Sequence, residues 1–186
     1  VRAGAGNDEE QNEVILSTPW EGRSMNPVAP LFCVDHMLIK LGKYLRILGF
    51  DASWEPALRT HELIRRANAQ HRVFLTRNRR LRDQYPCPDR SILIQSADPV
   101  AQLSEVVSGA GLDAGRSLFT RCIRCNVELS AIADKREIED RVHPNVYACY
   151  EKFYRCPACR TVFWKGSHVR NTCRKLSLPP PDCGRA

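Results

Sequence analysis

Two Cys-x-x-Cys pairs, Cys122-Ile-Arg-Cys125 and Cys156-Pro-Ala-Cys159, stand thirty residues apart in a chain of 186. No other feature restricts the fold as much. A three-residue offset turns two thiolates toward one point from a tight hairpin tip, and two such tips complete a tetrahedral four-sulfur site. The spacing predicts a two-hairpin zinc ribbon over 118–170, closed around a structural Zn²⁺ held by Cys122, Cys125, Cys156 and Cys159. Two redox-active dithiols are the competing reading, but they need a thioredoxin-like context that these residues lack. Between the pairs, KREIEDRV reads as a helical stretch broken by Pro144. Beyond them, TVFWKGSH reads as a strand that packs its aromatics on the site, with His168 at the surface or supporting the ligands. Nine cysteines is an odd count, which argues for metal in a reducing, cytoplasmic setting rather than a disulfide framework. Cys33 and Cys149 read as core thiols, Cys87 as a loop thiol, and Cys173 and Cys183 as tail residues.

The stretch Leu31–Asp51, LFCVDHMLIKLGKYLRILGFD, reads as strand, turn, helix, strand. Leu31 to Val34 form the short apolar run of a strand buried on both faces, and Asp35 ends it. In the helix that follows, Lys40, Lys43 and Arg46 recur every third residue, while Met37, Leu38, Leu41, Leu45 and Leu48 cover the remaining arc. Gly49 is placed to end the helix as a left-handed cap, and Asp51 follows directly. An aspartate at the carboxyl end of a strand, beside a basic helix edge, points to metal and phosphate.

The alternation continues. Asp51 to Glu55 reads as a short strand, THELIRRANAQ as a helix capped by Thr60, RVFLT (72–76) as a buried strand and RNRRLRD as an arginine-rich turn. SILIQ (91–95) is the next strand, and Asp98-Pro99 opens a helix. Strands separated by helices imply right-handed crossovers and a parallel sheet with helices on both faces. Its carboxyl rim would carry Asp35, Asn78 and Asp98, with Asp51 at the start of a strand or in the turn before it. Residues 1–30 read as a flexible lead-in, with Met25 a candidate internal start, 31–115 as the α/β domain, and 171–186 as a flexible tail. The formal charge of +7, largely from arginine, makes a polyanion a plausible partner. No apolar run is long enough to span a membrane.

Three phrases in one order, DHMLIKLGKYLRILGFD, VFLTRNRRL, and RCIRCN with EKFYRCPACRTVFWKGSH, together resemble the Mut-seven C-terminal RNase family. The resemblance covers residues 31–168. It implies a PIN-like parallel sheet flanked by helices and followed by a small zinc ribbon, an Mg²⁺- or Mn²⁺-dependent ribonuclease role, and RNA as partner. Asp35 matches the acidic residue after the first strand, Asp51 the one closing the helix unit, and Lys40, Lys43 and Arg46 the basic helix positions. Asp98 matches in the segment before the last helix of the domain. Asn78 departs from the pattern, which usually has Asp in the phrase that here reads LTRNRRL. A carboxamide is a poorer ligand than a carboxylate for a hard divalent cation.

The expected catalytic set is therefore Asp35, Asp51, Asp98 and Asn78, with Lys40, Lys43, Arg46, Arg77, Arg79 and Arg80 holding the RNA backbone. Each has a plainer reading. Asp35 and Asp98 are good helix caps, Asp51 and Asn78 good turn residues, and the lysine edge a solvated helix face. Two functions follow: a metal-dependent ribonuclease, or a non-catalytic RNA-binding zinc-ribbon module whose pocket is degenerate at Asn78.

Overall fold

The computed structural model describes residues 29–115 and 117–179, apart from the side chain of Arg82. The lead-in up to residue 28, Met25 within it, and residues 180–186 with Cys183 lie outside the described residues. The chain is mixed α/β. Four strands, β1 (Phe32–Val34), β2 (Ala52–Ser53), β3 (Val73–Thr76) and β4 (Ser91–Leu93), form a parallel sheet in the order β2-β1-β3-β4. The helices between them are α1 (Ile39–Ile47), α2 (Thr60–Ala69) and α3 (Leu81–Gln84), with α4 (Pro99–Gly109) after β4.

Each strand feeds both faces of the sheet by its two-residue period. Phe32, Val34, Val73 and Leu75 point into one core with Leu41 and Leu45 of α1, Leu48 at its C-cap, and Leu103 and Val106 of α4. The alternate residues Cys33 and Phe74 meet Leu63, Ile64 and Ala67 of α2 and Leu81 of α3. Helices thus cover both faces, which is why β1 is apolar throughout and β3 is apolar up to Thr76.

Local chemistry sets the ends. Gly49 closes α1 at φ 91°, where a Cβ would stand 2.1 Å from the Ser117 carbonyl, so only glycine fits. The cap of α2 is Arg59 rather than Thr60, because the Glu62 carboxylate already accepts the Arg59 N–H at 2.7 Å. A 3₁₀ turn, His36–Leu38, separates β1 from α1.

After residue 118 the chain builds a second, antiparallel sheet, β5 (Ser130–Ala131), β6 (Phe153–Arg155) and β7 (Val162–Trp164). Lys135–Arg141 is 3₁₀-helical, and Pro144 begins a short helix, α5 (Pro144–Cys149), rather than only ending one. Cys149 is exposed there rather than in a core.

The tail expected from residue 171 begins as ordered structure. Ser167–Lys175 is helix α6, with Val169 and Cys173 buried, and Leu176 returns to the main core. Its apolar residues recur at intervals of four and three, the helical period, hidden in the sequence by the polar residues between them. Among the described residues no helix is long and apolar enough to cross a membrane.

Candidate active site and metal centre

The strand order reverses direction between β1 and β3, which are neighbours although β2 lies between them in sequence. Open parallel sheets leave a crevice at the carboxyl ends of such a pair. Asp35 and Thr76 sit there. The register pairs Val34 with Leu75, so the next two residues, Asp35 and Thr76, fall side by side on one face. The Thr76 hydroxyl donates to Asp35 Oδ2 at 2.6 Å, and the His36 N–H donates to Oδ1 at 2.7 Å. Both residues are buried, Asp35 at 4% and Thr76 at 2% exposure. The Asn78 N–H donates to Thr76 Oγ1 at 3.0 Å, tying the third rim residue to the pair.

The outer rim is polar and cationic. Asn78 Oδ1 accepts the Arg80 N–H at 3.0 Å and its Nδ2 donates to Gln84, so the carboxamide is held within its own turn. Arg79 reaches Gln95 at 2.9 Å, and Arg77, Arg79 and Arg80 are exposed. Asp98 caps α4, accepting the Val100 and Ala101 N–H groups. These amide bonds, led by Ala101, hold its carboxyl below the usual range, and Lys175 and Lys40 lower it further. Glu105 of α4 accepts the Gln95 and Ser96 N–H groups, each at 2.8 Å. Thr76 and Glu105 escaped sequence reasoning. The hydroxyl ending VFLT was the available signal for the first, whereas Glu105 read only as one polar residue of a helix.

Asp51 lies elsewhere. Phe32 pairs with Ala52, so Asp51 stands level with Leu31 at the amino end of the sheet. Four residues of strand separate that level from Asp35, about 13 Å. Asp51 accepts from Arg72 at 2.5 Å and from Asn126 Nδ2 at 2.7 Å, and Arg121 stands 3.8 Å away. Burial raises its pKa, but hydrogen bonds from Arg72 and Asn126 and the charges of Arg72 and Arg121 outweigh that and hold it low. The shared-ion set of Asp35, Asp51 and Asp98 therefore does not assemble with Asp51 in it.

Arg46 is also not on the rim. A helix rises 1.5 Å per residue, which carries Arg46 about 9 Å down α1 from Lys40. It is 4% exposed and donates from Nε to the Ala52 carbonyl at 2.8 Å. Its Nη1 donates to the Ile123 and Arg124 carbonyls at 2.7 and 2.9 Å, and the guanidinium lies 3.5 Å over the Trp54 ring. With Nε and Nη1 engaged and the side chain buried, Arg46 clasps the first knuckle instead of facing the rim. Lys40 and Lys43 remain exposed.

The candidate metal centre is the four-cysteine cluster. The Sγ atoms of Cys122, Cys125, Cys156 and Cys159 lie within 4.8 Å of one another, and those of Cys122 and Cys159 are 3.8 Å apart. Zn–S bonds of about 2.3 Å at tetrahedral angles put sulfurs about 3.8 Å apart, so the cluster can hold a zinc ion. The two knuckles are built alike. In each, the second cysteine's N–H faces the first sulfur at 3.4 Å. The next residue, Asn126 or Arg160, takes a left-handed φ of 63° or 62° and donates back to the first cysteine's carbonyl. Hydrogen bonds to Thr161 draw the Cys159 thiol down to about 6, while its bond to Cys159 pushes Cys125 up to about 12. Adjacent thiols divide protons this way, and a dication removes the conflict. Among the described residues no other group of three or more His, Cys, Asp or Glu side chains gathers closely enough to hold a metal.

A protein-family model described as the Mut7-C RNAse domain matches residues 30–176. No curated protein and no solved structure matches the chain.

Proposed function

From a chain that belongs to the Mut7-C RNAse domain family, we infer a ribonuclease that hydrolyses RNA phosphodiester bonds at the carboxyl rim between β1 and β3. One observation carries the reading: Asp35, a buried carboxylate at the switch point of the sheet, oriented by Thr76, the residue before the turn that carries the exposed Arg77, Arg79 and Arg80. Buried carboxylates are costly without a task or a cation.

Mg²⁺ and Mn²⁺ sites commonly take one or two protein carboxylates and complete their shell with water and substrate phosphates. Asp35, with Asp98 on the same rim and Asn78 as a weak neutral donor, fits that minimum; Asp51 does not contribute. When bound, such an ion would supply an activated water and neutralise charge growing on the phosphoryl oxygens. The protein's own part is positional. Thr76 fixes the Asp35 carboxylate in one rotamer, and Lys40, Arg77, Arg79 and Arg80 offer phosphate contacts that set register on the strand without reading sequence.

Two observations favour a second reading, a non-catalytic RNA-binding module. The Asn78 carboxamide is folded into its own turn, and no three acids of the described residues converge. The two readings separate on one experiment with the full, zinc-loaded chain and unstructured RNA in Mg²⁺ or Mn²⁺. The ribonuclease reading expects cleavage that Asp35→Asn lowers at least a hundredfold and Asn78→Asp raises, with binding retained. Salt-sensitive binding without turnover, indifferent to Asp35, would leave only the second.

A further inference from the structure

A cleft of about 70 Å³ opens between the ribbon sheet, the start of α6 and the end of α1. Its lining is aromatic to a degree the zinc site does not require: Phe119, Tyr154, Phe163 and Trp164 all face it. All four are only half-buried. Tyr154 and Phe163 are cross-strand partners on one face of the sheet, whereas Trp164, paired with Phe153, stands on the alternate face at the end of β7 and lines the cleft from there. Phe119 is held at φ 58°, a left-handed conformation uncommon for a bulky residue, while its N–H donates to the Ile47 carbonyl. The indole of Trp164 meets His168 edge to face at 5.5 Å. That approach needs Gly166, where a Cβ would come within 2.7 Å of the indole nitrogen.

The charge around the cleft identifies its occupant. Of its two cations, Arg121 is held by Asp51, Glu128 and the Asn126 and Gly49 carbonyls; Lys165 is the other. Ile47, which lines the cleft, lies on the same α1 stripe as Lys40 and Lys43, because positions four and seven residues apart share a helix face. The exposed lysines therefore run from the cleft toward the Asp35 rim, over about 10 Å of helix. Helix α6 runs back along the same side. Val169 lines the cleft, and Lys175 at the far end lies 6.0 Å from the Tyr44 ring and lowers the Asp98 carboxyl. An aromatic slot joined to an acidic rim by a cationic track matches single-stranded nucleic acid, whose bases stack and whose backbone is anionic.

We propose that this cleft binds an unpaired nucleobase of the RNA strand, stacked against Trp164 and its aromatic neighbours, while Lys43 and Lys40 carry the backbone toward Asp35. The proposal rests on the ribonuclease reading for its ligand and adds a base subsite remote from the acids.

The test measures binding of a short unstructured oligoribonucleotide to the full, zinc-loaded chain by fluorescence anisotropy across salt. All chains carry Asp35→Asn so that turnover does not interfere. Trp164→Leu is expected to weaken binding about tenfold at fixed salt. An oligonucleotide with abasic sites should lose the same factor on the parent and little on that variant. Lys165→Ala should lower the salt slope by about one. Unchanged affinity in a Trp164→Leu chain of normal zinc content and circular dichroism overturns the subsite, as does equal affinity for the abasic strand. Should that variant fail to fold, photocrosslinking of 4-thiouridine RNA to the unaltered chain decides. Crosslinks within residues 119, 154, 163 or 164 support the cleft, and crosslinks confined to other segments overturn it. Cleavage by the chain with native Asp35 is scored separately. Base-dependent binding without cleavage refutes the ribonuclease and keeps the subsite; cleavage with Trp164-independent binding does the reverse.

Discussion

Asp51 and Arg46 look like site residues in sequence and act as fasteners in the structure. Asp51 is held below the ordinary carboxylate range by Arg72, Asn126 and Arg121 against the opposing effect of burial. A group whose folded pKa is depressed contributes stability that is full above its unfolded value, about 3.9, and is lost as pH falls through the folded value. The parent should therefore lose stability in urea titrations below about pH 4. Asp51→Asn should flatten that acid limb and cost about 2 kcal/mol at neutral pH, because Arg72 loses its partner. An acid limb unchanged in the variant would show that other carboxylates set it. Burial lowers the Arg46 guanidinium to about 10, with Asp51 pulling the other way, so it remains a cation at neutral pH. Lysine cannot reproduce its fork. Arg46→Lys is expected to destabilise the chain by about 2–4 kcal/mol in thermal melts and to speed zinc loss to a chromogenic chelator.

At the scale of elements, helix direction decides which charges can work together. Every helix that follows a parallel strand starts at the carboxyl rim and runs to the amino edge, so its first turn belongs to the ligand side and its last does not. Lys40 accordingly faces the Asp35 rim, while Arg46 meets Ala52 and the knuckle at the other end. Side by side in one periodic pattern, the two residues were indistinguishable in sequence. α6 gives the complementary case: polar residues filled its exposed face and concealed Val169, Cys173 and Leu176 beneath them.

For the whole molecule, the ribbon is stitched to the parallel sheet rather than appended to it. Arg46 holds both carbonyls between Cys122 and Cys125, and Asn126, the residue after them, bonds Asp51 and the Ala52 N–H. Phe119 and Arg121 add bonds to Ile47 and Gly49 at the end of α1. Zinc binding and folding are coupled wherever ligands order the backbone. Chelation at neutral pH should then lower hydrogen-exchange protection in β1 and β2 as well as in β6 and β7, in one cooperative step. Protection lost from the ribbon alone would mean the two parts fold independently.

What depends on near neighbours in the chain can be read from the residues alone. Cysteine offsets set the knuckles, unbroken apolar runs set strands covered on both sides, and Gly49 set the end of α1. Which acids meet depends on how distant strands pair. Asp35 and Asp51 are sixteen residues apart and both adjoin strands, but one follows its strand and the other precedes it. Parallel pairing carries those positions to opposite ends of the sheet, and strand register, invisible in the local pattern, gave Asp35 a threonine for its neighbour instead.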